Sequence, residues 1–129
     1  MRGPDHILLV EDEDNIAIAV ELLLVRAGYH VTRVATGCQA LPNLRALIPA
    51  LVILDVTLPE MSGYEICQQL RRDPDLGRTP VLIMSARTSP AEQRKAMAMG
   101  ADAFLAKPFA ATDLITAVHH LSKGTPHEH

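Results

Sequence analysis

Five short apolar runs, each followed by a longer segment of helical spacing, constrain this chain more than any other feature. His6 to Val10 comes first and ends in an acidic turn, Glu11-Asp12-Glu13-Asp14. The segment after it extends to Ala27, with Ile16, Ala19, Val20, Leu23 and Leu24 on one stripe, and Gly28 stands where a helix-ending glycine belongs. His30 to Val34 reads as the second strand, and a helix opening at Thr36-Gly37 reaches about Leu47. Pro42 falls inside that helix. A missing N–H and a ring clash there cost about 3 kcal/mol or more, which predicts a late start, a kink or a broken first turn.

Leu51 to Leu54, Pro80 to Met84 and Ala103 to Ala106 supply the remaining strands. Ser62-Gly63-Tyr64-Glu65 is a capping box that launches a helix to about Arg72. Ser89-Pro90-Ala91-Glu92 repeats the helix start with proline at the first helical position, and that helix ends at Gly100. A last helix runs from about Ala111 to Leu121. Alternating strands and helices predict a doubly wound α/β domain around a five-stranded parallel sheet, with right-handed crossovers covering both faces. Ligands in such domains bind beyond the C-terminal strand ends, where the strand order reverses.

A length of 129 residues fits one domain, and 48% hydrophobic content suffices for a core that must be aliphatic, since aromatics are only 3%. The net charge of −3 argues against nucleic acid as a direct ligand. Arg71-Arg72 and Arg94-Lys95 read as solvated helix faces. Cys38 and Cys67 share no metal-ligand spacing and read as buried or half-buried thiols in a reducing cytosol. No signal peptide is evident, and no run approaches the roughly 20 apolar residues of a membrane span, so a soluble cytoplasmic protein is expected.

The strand ends carry the chemistry. Glu11 and Asp12 follow the first strand, Asp55 the third, Ser85 the fourth and Lys107 the fifth. With the first and third strands as neighbours, three carboxylates converge, and their repulsion calls for a cation. Hard oxygen ligands suit Mg²⁺. Taken alone, the acidic turn reads as a solvated helix start. Asp55 has no helix of its own to cap, because Ser62 does that, and so it favours a site. Lys107 precedes Pro108, a bond that can be cis, and its ammonium can neutralise the acidic cluster. Ser85 can donate from its hydroxyl, and Phe104 lies on the fifth strand beside it.

From Ile7 to Leu121 the pieces ILLVEDE, LVILDVTLPEMSGYE, PVLIMSAR and GADAFLAKPF resemble, in this order, the receiver domain of two-component response regulators. The resemblance implies a flavodoxin-like sheet of order 2-1-3-4-5, with a receiver domain over residues 1–123. Residues 124–129 would then be a polar tail: a linker stub, a native end or an expression remnant. It implies that Asp55 takes a phosphoryl group from a phosphohistidine on a histidine kinase or histidine phosphotransfer protein. Mg²⁺, with Mn²⁺ as the substitute ion, would be held by Glu11, Asp12, Asp55 and the Thr57 backbone carbonyl. Lys107 and Ser85 would contact the phosphoryl oxygens. The domain would catalyse its own phosphorylation and a slow hydrolysis tuned by Thr57 and Arg87, while acting mainly as a switch. Ser85 and Phe104 would carry the switch to the surface of the fourth helix, fifth strand and fifth helix.

Departures from the family pattern sharpen the expectation. Glu11 stands where Asp is usual, and Phe104 where many members have Tyr. Ala103 and Ala117 replace an Asp–Arg pair that joins winged-helix members across a dimer, so a monomer or weak dimer is expected. The alternative reading is a pseudo-receiver, a binding module keeping the fold without phosphorylation. A haloacid-dehalogenase phosphatase would need an acid where Thr57 stands, and an acidic first turn replaces the glycines of a dinucleotide site.

Overall fold

The computed structural model describes residues 5–123. In chain order the elements are β1 (His6–Val10), α1 (Asp14–Arg26), β2 (His30–Val34), α2 (Gly37–Leu47), β3 (Leu51–Asp55), α3 (Gly63–Arg72), β4 (Val81–Ser85), α4 (Pro90–Ala98), β5 (Ala103–Ala106) and α5 (Ala111–Lys123). The strands form one parallel sheet in the order β2-β1-β3-β4-β5, as expected. Register pairs Val10 with Leu54, Asp55 with Met84 and Ser85 with Ala106, which aligns the C-terminal strand ends along one edge. Asp55 and Ser85 are the last residues of their strands rather than the first residues beyond them. The polar tail falls outside the described residues.

The sheet is covered on both faces, which explains why its central strands carry no polar alternation. Leu51 to Leu54 are fully buried, each side chain contributing about 1.5–3 kcal/mol over an exposed state. Ala17, Val20 and Leu24 of α1 pack with Leu114 and Val118 of α5 on one face. Ala40 and Leu44 of α2, Ile66 and Leu70 of α3, and Ala96 of α4 fill the other. The two caps read from sequence are present. Ser62 Oγ accepts from Glu65 N at 3.2 Å while Glu65 Oε1 accepts from Ser62 N at 3.0 Å, and Ser89 Oγ accepts from Glu92 N at 3.2 Å.

Further expectations are corrected. On α1, Ala17 rather than Ala19 faces the core, and Ala19 is exposed. Apolar residues surround this helix, so spacing alone does not single out the buried stripe. Helix α2 runs unbroken through Pro42. The lost N–H bond and the ring fall on its exposed side, while buried Ala40 and Leu44 hold the helix to the sheet and Asn43 Nδ2 donates to Gln39 O at 2.8 Å. Cys38 is exposed, and only Cys67 is buried.

Arg71 is no solvated side chain. Its guanidinium donates to Gly77 O, Thr79 O, Gly100 O and Asp102 Oδ2, the last at 2.8 Å. It ties the end of α3 to the entrances of β4 and β5. Helix α4 buries only Ala96, and it is clasped to α3 by a side-chain contact. Tyr64 Oη donates to Glu92 Oε1 at 2.9 Å, and Lys95 Nζ lies 4.9 Å from the centre of the Tyr64 ring.

Candidate active site

Three parallel strands deliver the site. Because β1 and β3 are neighbours, Glu11, just beyond β1, comes to face Asp55 at the end of β3. Carboxylate oxygens of Glu11, Asp12 and Asp55 all lie within 4.8 Å of one another. Glu11 is wholly buried, Asp55 is 6% exposed and Asp12 reaches solvent. Lys107, carried in from the end of β5, places its Nζ 3.1 Å from Glu11 Oε1 and 3.2 Å from Asp55 Oδ1. The Lys107–Pro108 peptide is cis.

Burial raises the Glu11 pKa above the ordinary carboxylate value. A hydrogen bond from Glu13 N (3.0 Å) opposes that rise, the Asp55 charge adds to it, and Lys107 works against it. Burial by itself would lower the Lys107 pKa, but Asp55 and Glu11 more than offset it and hold the ammonium above its usual value. The cluster therefore keeps one cation against three acids. A set of convergent hard oxygens with one member open to water fits a divalent ion such as Mg²⁺.

The remaining expected residues surround this centre. Thr57 is exposed and its N–H donates to Asp55 Oδ1 at 3.4 Å. Ser85 is buried, its Oγ accepts from Arg87 N at 2.9 Å, and its carbonyl accepts from Lys107 N at 2.8 Å. Arg87 is exposed. Phe104 pairs with Ile83 in register and packs, half-buried, against the face covered by α2, α3 and α4. An open cavity of ≈510 Å³ beside Lys107 is lined by Glu13, Ile16, Ala19, Pro108 and Phe109. Ala19, expected in the core, belongs to this cavity instead.

Two contributors escaped the sequence reading. A Cβ at Gly63 would collide with the Asp55 carbonyl oxygen, so α3 starts against the end of β3 only because that residue lacks a side chain. The other is Arg33, whose Nε donates to Glu11 O at 2.8 Å. The capping box could have drawn attention to Gly63, whereas nothing local marks Arg33.

A doubly wound domain with acids and a lysine gathered at its strand ends is the architecture of a signalling receiver. The family model for the response regulator receiver domain matches residues 7–119, and the chain belongs to that family. It is 35% identical over 112 residues to the phosphate regulon transcriptional regulatory protein PhoB of Rhizobium meliloti, covering 87% of this chain and 49% of that protein. The chain spans about half the length, or less, of the curated relatives it matches. Among solved structures, the signal receiver domain of a signal transduction histidine kinase from Syntrophus aciditrophicus superposes with a TM-score of 0.88 at 33% identity, covering 97% of this chain and 95% of that one. The receiver domain of a sensor histidine kinase from Pseudomonas aeruginosa, with a magnesium ion coordinated in its active site cleft, gives 0.86 at 28% identity, covering 94% and 98%.

Proposed function

We propose that this domain is the phosphoacceptor of a two-component or phosphorelay system, with Asp55 as the acceptor. An Asp55 carboxylate oxygen attacks the phosphorus of a phosphohistidine on a histidine kinase or histidine phosphotransfer protein. The O–P bond forms, the P–N bond breaks, and the imidazole nitrogen keeps that electron pair and takes up a proton. Glu11, Asp12, Asp55 and the Thr57 carbonyl would hold Mg²⁺, or Mn²⁺ in its place, which supplies positive charge against the phosphoryl oxygens.

The chain's own residues do the rest. Lys107, already beside Asp55, pairs with a phosphoryl oxygen once the carboxylate becomes an acyl phosphate. Ser85 turns its hydroxyl to another oxygen, and Phe104 moves into the space released. That shift alters the surface of α4, β5 and α5, the face an effector would read. It is a population shift, driven only by contacts that differ between the two states. Thr57 and Arg87, both exposed, flank the water that slowly hydrolyses the product. Among the described residues no helix is long and apolar enough to cross a membrane, and a cytoplasmic location goes with this reading.

The observation that carries the proposal is the single Lys107 ammonium within 3.2 Å of both Asp55 and buried Glu11. Acetyl phosphate with Mg²⁺, followed by a phosphate-affinity gel, tests it. One shifted band that EDTA and Asp55→Asn abolish is expected. A band that survives Asp55→Asn, or no band at all, would reject the acceptor and leave the pseudo-receiver reading.

A further inference from the structure

Arg33 is the penultimate residue of the edge strand β2 and pairs in register with Leu9 of β1. Its guanidinium reaches past the end of β1 onto the acidic turn. Nε donates to the Glu11 carbonyl at 2.8 Å, and Nη2 lies 2.9 Å from Asp14 Oδ1. That second contact is an ion pair without hydrogen-bond alignment, since Nη2 is buried and has no hydrogen-bond partner among the described residues. The Glu11 N–H, in turn, donates to Val34 O at 3.1 Å. Strand β2 therefore grips Glu11 on both sides of its backbone.

The carbonyl that Arg33 holds belongs to the peptide joining Glu11 to Asp12, the two acids that converge on Asp55. The torsion ψ of Glu11 orients that carbonyl, and a change in it alone would swing Asp12 away from Glu11. We propose that Arg33 is the positioning residue of the divalent-cation site, setting how tightly Glu11 and Asp12 bind the ion by fixing the plane between them. The inference rests on the receiver reading above and extends it to a residue outside the acidic cluster.

Two physical effects of Arg33 have opposite sign. As a cation near Glu11, Asp12 and Asp14 it repels a metal ion, so deleting it on charge grounds alone would tighten binding. As an orienting group it behaves like the outer partners of metal ligands, whose loss weakens binding by about 10- to 100-fold. The sign of the change separates them. Lysine keeps the charge, but its flexible ammonium lacks the planar guanidinium whose Nε holds the Glu11 carbonyl in a fixed direction.

The test is a MgCl₂ titration of the wild-type domain, Arg33→Gln and Arg33→Lys, followed by amide NMR shifts, with thermal unfolding in EDTA run alongside. Both variants are expected to bind Mg²⁺ about tenfold more weakly, with Arg33→Lys failing to restore wild-type affinity. Affinity that is unchanged or tighter in Arg33→Gln, or restored in Arg33→Lys, overturns the inference while leaving the receiver reading intact. A loss of melting temperature in EDTA with unchanged Mg²⁺ affinity marks a purely structural role and overturns it too. Wild-type protein without any Mg²⁺-dependent shift would overturn the phosphoacceptor reading and this inference together.

Discussion

Gly63, the first residue of α3, sits so close to the end of β3 that any side chain there would meet the carbonyl oxygen of Asp55. Its own N–H donates to Val56 O at 3.0 Å, so the start of α3 is locked to the backbone just beyond β3. On helix propensity alone, Gly63→Ala would stabilise by up to about 1 kcal/mol. The contact reverses that sign. We expect a loss of about 1–3 kcal/mol in urea unfolding, together with slower phosphorylation by acetyl phosphate. A gain in stability would contradict the close approach.

Lys107→Met leaves buried Glu11 facing Asp55 without a cation. In EDTA at neutral pH we expect about 2–4 kcal/mol less stability, because an uncompensated buried charge remains. Glu11, already raised by burial, would rise further, and a group with a raised folded pKa contributes stability that grows as pH falls. The deficit should therefore shrink on acidification toward the ordinary carboxylate range. Urea titrations at several pH values read this directly, and a deficit independent of pH would refute it.

Arg71→Ala removes the guanidinium shared by Gly77, Thr79, Gly100 and Asp102. Asp102 Oδ2 also accepts from Val81 N at 2.8 Å, so the entrances of β4 and β5 loosen together. A cost of about 3 kcal/mol is expected from partners left unsatisfied. Arg72, exposed on the next position of α3, is the control, and its alanine variant should change stability by less than about 0.5 kcal/mol.

Burial, with the hydrogen bond to Glu92, pushes the Tyr64 phenol up to about 12. The unfolded chain releases that proton near 10, so folding loses stability as pH rises from about 10 to about 12. Tyr29→Phe leaves Tyr64 as the sole tyrosine, and its phenolate absorbance should appear only near the upper end of that range. Tyr64→Phe should flatten the alkaline fall in stability relative to wild type. An unshifted phenolate titration would show that the α3–α4 clasp is absent.

Much of the site was legible because the strand-end rule needs only local information. Each apolar run announces where its strand stops, and the next residue is then placed on the C-terminal edge. Glu11, Asp12, Asp55 and Lys107 were read that way, and the structure brings all four together. Arg33 and Arg71 were not legible. Their acceptors are mostly backbone carbonyls, which every residue carries, so no residue type in the sequence marks the partner.

Helix α1 and Pro42 mark the limits of periodicity and of single-residue rules. The α1 segment DNIAIAVELLLVR is apolar nearly all round, and Ile18, Leu22 and Val25 end up exposed while Ala17 is buried. Proline's penalty in α2 is real, but packing of Ala40 and Leu44 outweighs it.

By itself the sequence determined the βα alternation, the capped starts of α3 and α4 and the residues standing at each strand end. Those follow from side-chain periodicity and capping chemistry, which act over a few neighbouring positions. Tertiary structure alone decided that Arg33 would hold the carbonyl of Glu11, 22 residues away, and that Arg71 would reach Asp102, 31 residues away. Such contacts depend on strand order and register, and an arginine finds its acceptors only after the sheet has brought distant backbone within a side chain's length.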